Sequence, residues 1–378
     1  MAVRAVKTNP LSPDAEQVLS AMCAAREETL ALIAPLSVSE LEAVHSPIMS
    51  PLVWDLGHIA AYEDLWIGQR HGGRELLRPE LASLYDAFET PRAIRGEIEA
   101  LDPADARGYL AAVRARTTEV IAERGVGDGV LCELVLRHEL QHSETMRQTM
   151  AIAGLLAPGE PRLVPMNAPE GWIEIPPGPF AMGAAAEGFA YDNERPRHIV
   201  EVPAFRIARR PVSNASWMHF SEGGGYERRE WWSDEGWAWK EEHDITHDPA
   251  VADGHREAPV CHVSWFEADA FARAHGARLP TEAEWEKATT WTQGQAQAQR
   301  PLVLGAVWEW TASHFGGYPG FEPYPYPEYS QVFFGESYRV LRGSSWATHP
   351  RVASPTFRNW DLPLRRQIFA GLRLARDA

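Results

Sequence analysis

A chain of 378 residues with 45% hydrophobic content is long enough for two domains with cores of their own. A formal net charge of −16 argues against a nucleic-acid binder, which needs clustered Lys and Arg, though not against a local basic pocket for a small anionic substrate. No apolar run reaches the length of a membrane span. The first eight residues lack the apolar core of a signal peptide. Cys23, Cys132 and Cys261 are too few and too scattered for a disulfide framework, which points to a reducing cytoplasm.

The first part of the chain reads as helical. Helical periodicity covers Asp14 to Leu36. Ser50-Pro51 followed by an apolar stretch to Trp66 predicts a capped helix start. Two further helices are expected over Ala104 to Ala122 and Gly129 to Ala153, so the expected architecture is an up-down four-helix bundle with ligands projecting into its core. Composition changes at 157–165, a Pro- and Gly-bearing stretch that reads as a linker. The expected domains are 1–157 and 158–378.

Beyond the linker, short β-like pieces alternate with Pro/Gly turns: Trp172 to Ile175, Phe180 to Gly183, His198 to Val202 and Phe205 to Ala208. Helices are expected over Ser213 to Phe220, over Ser264 to His275, and from Thr281, where Thr281 and Glu284 form a capping box. The Gln-rich stretch 293–299 reads as an exposed loop. Of 15 tryptophans, all but Trp54 and Trp66 lie after residue 170, which predicts an aromatic-rich second fold. Trp308, Trp310 and Trp346 are expected in its core.

The most informative segment is His138-Glu139-Leu140-Gln141-His142, inside a stretch free of Gly and Pro. Histidines four apart on a helix share a face and can grip one metal ion. His58, in the middle of an apolar helix face with Trp54, Ile59 and Tyr62, is the best third ligand. A face of three nitrogens leaves positions open for substrate and oxygen, in the logic of non-haem iron sites. The same letters also satisfy H-E-x-x-H, in which two histidines bind zinc and Glu139 is the general base. Position 148 is Gln148 rather than the further histidine of the metzincins, and Glu144 lies too close to be a distant third ligand.

The second half carries, in order, Phe180-Ala-Met-Gly183, Asn193-Glu-Arg-Pro196, Pro211-Val-Ser-Asn214, Pro259-Val-Cys-His-Val-Ser-Trp265, Arg278-Leu-Pro-Thr-Glu-Ala-Glu-Trp-Glu286, Val307-Trp-Glu-Trp-Thr311 and Arg339-Val-Leu-Arg-Gly-Ser-Ser-Trp346. Together these resemble the formylglycine-generating-enzyme type, C-type-lectin-like fold. The first half, with His58 and the H-x-x-x-H pair, resembles a DinB-like bundle. The combination, an α+β chain, resembles the iron(II) sulfoxide synthases of ergothioneine biosynthesis (hercynine oxygenases) and the related selenoneine synthases.

That resemblance implies Fe(2+) held by His58, His138 and His142, O2 as co-substrate, and hercynine plus a thiol or selenol donor as substrates. It implies that Gln141, Asn359 and Trp360 bind hercynine, and that Tyr326 is the catalytic proton donor with Tyr329 nearby in the pocket. Arg92, Arg95, Asp361 and Arg365 match donor contacts. Bidentate guanidinium recognition suits an anionic donor, and aromatic faces suit a quaternary ammonium. The donors in view are γ-glutamylcysteine, cysteine, and a thio- or selenosugar. The chain departs from the family pattern at about 240–260 and 290–305, where its connections are shorter. No cysteine follows Cys261, which argues against the cysteine-pair chemistry of the formylglycine-generating enzymes themselves. The rival functions are a zinc-dependent hydrolase or transferase of DinB type and a non-catalytic ligand-binding module.

Overall fold

The computed structural model describes residues 12–157, 165–166, 170–246, 255–294 and 302–378. The expected linker at 157–165, except Ala157 and Pro165, lies outside the described residues, as do positions 247–254 of the shorter connection at about 240–260 and most of the Gln-rich stretch. Chain contacts divide the protein into two units, Met1–Pro158 and Gly159–Ala378.

The first unit is all helical. Helix α1 (Pro13–Ile33) starts at Ser12, whose side chain accepts from the Ala15 N–H. The short α2 (Val38–Glu42) opens with a Ser37–Glu40 capping box. Helix α3 (Leu52–Glu63) runs on through a π-helical segment, Asp64–His71. Helix α4 (Pro103–Arg124) is capped by Asp102, which accepts from the Ala104 and Asp105 N–H groups. Helix α5 (Val130–Ala153) ends at left-handed Gly154. The four long helices are those expected from periodicity. Their core includes Leu52, Trp54, Leu56, Ile59, Leu110, Val113, Met146 and Met150.

Ser50 departs from its expected role. Pro51 holds the N-cap position of α3 and makes no side-chain cap, and the Ser50 hydroxyl instead accepts from Arg95 Nη1 at 2.7 Å. Gly57 inside α3 has a packing reason: a Cβ there would sit 2.1 Å from the Tyr85 ring. Only a glycine lets Tyr85 close over this helix.

The second unit mixes sheets and helices. Strands β1 (Trp172–Ile175), β2 (Gly178–Met182), β3 (His198–Val202) and β4 (Phe205–Ala208) fall where alternation placed them. Helices α6 (Asn214–Glu222), α7 (Asp234–Glu242), α8 (Trp265–Ala274) and α9 (Glu282–Gly294) follow. Helix α7 was not expected from sequence. Its signals were present, Ser233 as cap and Asp234 and Glu235 in the first turn, but Gly236 in that turn masks them. The Thr281–Glu284 capping box forms in both directions, at 2.8 and 3.2 Å. The remaining strands are β5 (Trp308–His314), β6 (Arg339–Gly343), β7 (Asn359–Asp361), β8 (Ala370–Leu372) and β9 (Ala375–Asp377).

The strands form sheets in the orders β1-β4-β9, β2-β3 and β7-β6-β5-β8. The last places Asn359, Trp360 and Asp361 on an edge, paired with Leu341, Val340 and Arg339. Trp308 and Trp310 are fully buried, as expected, and Trp346 is half-buried against Phe369. Among the described residues, no helix is long and apolar enough to cross a membrane.

Candidate metal centre

His58 on α3 and His138 and His142 on α5 meet inside the first unit, with one ligand nitrogen from each lying within 4.8 Å of the others. The Nε2 atoms of His58 and His138 are 3.1 Å apart. Two nitrogens sharing an ion through bonds of about 2.1 Å sit about 3 Å apart when they occupy adjacent octahedral positions, so this spacing fits a shared ion.

Tautomers follow from the partners. His58 Nδ1 lies 2.7 Å from the Tyr85 carbonyl oxygen, which can only accept, so Nδ1 carries the proton and Nε2 keeps its lone pair. His142 Nδ1 is 3.2 Å from Asp55 Oδ1 and donates to it in the same way. Burial, then the charge of nearby His142, holds the His58 imidazole well below the usual range. Burial, then His142 and His58, does the same to His138. Neutral imidazoles are the form that binds a metal.

Aromatic rings fix the imidazole planes. His138 stacks on Tyr62, 3.7 Å between centroids and 10° between planes. His58 stacks on Trp54 at 4.8 Å, and the Arg95 guanidinium lies over the Trp54 ring, 3.6 Å from its centroid. From sequence Tyr62 was only part of the apolar face around His58, and Asp55 and the Tyr85 carbonyl were not singled out. For Asp55 a signal existed: a carboxylate three residues before His58 inside the apolar stretch Leu52–Ala61. We predict that Asp55→Ala weakens metal binding roughly 10–100-fold, measured by chelator competition. Unchanged affinity would mean that another group orients His142.

Glu139 does not face the histidines. It is buried, and its carboxylate accepts from Arg26 Nε at 2.7 Å, Arg26 Nη2 at 3.2 Å and Arg114 Nη2 at 3.2 Å. Glu63 accepts from the same two arginines, at 2.8 to 3.0 Å. A carboxylate engaged in this way cannot serve as the general base that the H-E-x-x-H reading requires.

The remaining expected site residues divide between the units. In the first, Gln141 is half-buried on α5 between the two histidines and Arg92 is exposed. Arg95 is buried, with Nε, Nη1 and Nη2 donating to Thr90 O, Ser50 Oγ and Ala87 O. Three of its five N–H hydrogens are thus used within its own surroundings, and burial lowers its pKa to about 10.

In the second unit an aromatic cluster gathers three of them. Tyr329 stacks on Tyr191 at 4.7 Å and stands edge-on to Tyr326 at 6.2 Å and Trp360 at 6.1 Å. Trp360 stacks on Phe315 at 4.2 Å. Asn359 precedes it on β7. Asp361 accepts from Gln367 Nε2 at 3.0 Å and lies 3.8 Å from Arg365 Nε.

Comparison with known proteins covers both units. Residues 159–300 and 303–378 match the sulfatase-modifying factor enzyme 1-like domain, and residues 21–146 match the DinB superfamily. The hercynine oxygenase of Mycobacterium tuberculosis is 41% identical, over 96% of this chain and 99% of that protein. The hercynine oxygenase of Mycolicibacterium smegmatis gives the same three figures. The formylglycine-generating enzyme of Streptomyces coelicolor is 34% identical over 31% of this chain and 46% of its own length. The first of these alignments spans 425 positions against a chain of 378 residues, so that relative carries segments this chain lacks.

Proposed function

The chain belongs to the hercynine oxygenase family, and on that premise we propose that it is an iron(II), O2-dependent oxidoreductase of ergothioneine or selenoneine biosynthesis. It joins the chalcogen of a donor to C2 of the hercynine imidazole. With a thiol donor the C2–H and S–H bonds break, the C–S bond forms, one oxygen atom becomes the sulfoxide oxygen and the other leaves as water. The observation that carries this reading is the three-histidine face, with His58 buried and His138 and His142 half-buried.

His58, His138 and His142 hold the metal, and three neutral nitrogens suit a first-row divalent ion such as Fe(2+). Iron(II), when bound, supplies oxygen activation and a place for the donor chalcogen. Gln141, Asn359 and Trp360 orient hercynine by hydrogen bonds, and the Tyr329 and Trp360 rings suit its quaternary ammonium. Arg92, Arg95 and Arg365 recognise donor carboxylates, and Asp361 recognises the donor ammonium. These charges favour a γ-glutamylcysteine-like donor over a thio- or selenosugar. Three free cysteines suit the reducing cytoplasm in which we place the enzyme.

The phenol of Tyr326 supplies the proton that steers oxygen toward C–S bond formation rather than simple thiol oxidation. Tyr326→Phe is expected to keep its iron and shift the product toward oxidised thiol by roughly 10²-fold, the scale of a general acid. The test is an aerobic assay with iron(II), hercynine and each candidate donor, read by mass spectrometry. Failure to form any hercynine adduct with a thiol or selenol donor overturns the reading. Stoichiometric zinc with turnover indifferent to oxygen would move the protein to the hydrolase class.

A further inference from the structure

The segment Pro323-Tyr-Pro-Tyr-Pro-Glu-Tyr-Ser330 carries Tyr326 and Tyr329. Three of its residues are prolines that lack N–H groups, it belongs to none of the strands, and its regular structure is one 3-10 turn, Pro327–Tyr329. It is also held by a distant turn, Tyr191–Glu194. Asp192 is buried. Its Oδ2 accepts from the Tyr324 N–H at 3.3 Å, and its Oδ1 accepts from the Ser330 hydroxyl at 2.7 Å and from the Asn193 N–H at 2.7 Å. One carboxylate therefore grips both ends of the tyrosine segment, while Tyr191 stacks on Tyr329.

The same turn grips the chain leading into β7. Glu194 Oε2 accepts from the Thr356 hydroxyl, and the Asn193 carbonyl accepts from Arg358 Nη1 at 2.7 Å. Asn359 and Trp360 follow directly. Burial pushes the Asp192 carboxyl up, against the hydrogen bonds from Ser330, Tyr324 and Asn193. A carboxylate has been placed where desolvation disfavours it, and what it gains there is these bonds.

We propose that Asp192 is a positioning residue for Tyr326: the Tyr191–Glu194 turn clamps the tyrosine segment and the Asn359–Trp360 strand to one support and so sets their spacing. The inference rests on the reading of Tyr326 as proton donor. An amide at position 192 cannot reproduce the clamp, because it must aim its NH2 at a backbone N–H, either that of Tyr324 or that of Asn193.

The experiment compares Asp192→Asn, Ser330→Ala and Tyr326→Phe in the full chain. Amide hydrogen exchange of peptides spanning 320–334 is expected to accelerate roughly tenfold in the first two, the equivalent of one charge-assisted hydrogen bond. Their ratio of oxidised thiol to hercynine adduct is expected to rise roughly three- to tenfold, short of the 10² that a misplacement of about 1 Å can cost. A purely structural role would lower both rates and leave the ratio alone. Unchanged exchange in both variants overturns the clamp. Faster exchange with a wild-type ratio, while Tyr326→Phe shifts it, overturns the positioning role. If Tyr326→Phe itself leaves the ratio unchanged, the reading of Tyr326 falls and the positioning role falls with it. Should Asp192→Asn fail to fold, Ser330→Ala, which introduces no new donor, decides the matter.

Discussion

Replacing His138 with alanine is expected to abolish metal binding while leaving the first unit folded. His58 and His142 alone offer two nitrogens to an ion that three held, and the loss should exceed the roughly 100-fold cost of removing a mere supporting partner of a ligand. The fold should survive because alanine is the strongest helix former and position 138 lies well inside the 24-residue α5. Among the described residues His138 makes no ion pair, and its ring contacts are the Tyr62 stack and the other two imidazoles. Gln141→Ala is the control, because it removes a neighbour on the same helix and leaves all three ligands. Metal analysis after dialysis, with circular dichroism beside it, checks both halves. Stoichiometric metal in folded His138→Ala would remove this residue from the ligand set, and with it the three-histidine site.

Much of this centre was legible because its signal is local. The i,i+4 spacing of His138 and His142 places two ligands on one face whatever else the chain does, and the apolar run around His58 marks its helix as buried. The four long helices of the first unit and strands β1 to β4 could be read for the same reason, from periods of 3.6 and 2. What could not be read depends on partners far apart in the chain. Ser50 looked like a helix cap until Arg95, 45 residues on, claimed its hydroxyl. The clamp on the tyrosine segment spans 138 residues between Asp192 and Ser330. Strand β5 lies between β6 and β8, antiparallel to one and parallel to the other, an arrangement no local pattern specifies. Glu139 is a further case: a structural role for it could be read once His58 joined the ligand set, but the partners that hold it, Arg26, 113 residues away, and Arg114, 25 away, leave no trace in the five-residue motif.

Glu139 also yields the largest expected change in stability. Two arginines and two glutamates, one on each of α1, α3, α4 and α5, form a buried quartet of zero net charge. Arg114 Nη1 also donates to the Met22 carbonyl and Arg26 Nη1 to the Leu110 carbonyl, so the quartet is tied to the backbone of α1 and α4. Burial alone would raise the Glu63 carboxyl, yet hydrogen bonding and charge from Arg114, and then the charge of Arg26, hold it below the usual range. Removing one carboxylate leaves two buried cations facing one anion, a change that costs about 3–5 kcal/mol when a buried pair is broken. Glu139→Gln should therefore lower the melting temperature of the first unit by roughly 6–20 °C, while the folded fraction keeps its metal and its rate per bound ion. A hydrolase base would behave in the opposite way, losing turnover without losing stability. Acid acts on the same quartet through Glu63: its folded pKa lies below the unfolded 4.5, so its contribution is complete above that pH and is lost as pH falls through the lower, folded value. Thermal unfolding of the wild type and Glu139→Gln at neutral pH, beside metal-normalised rates, separates the two roles. A variant that melts like the wild type but has lost turnover would return Glu139 to catalysis.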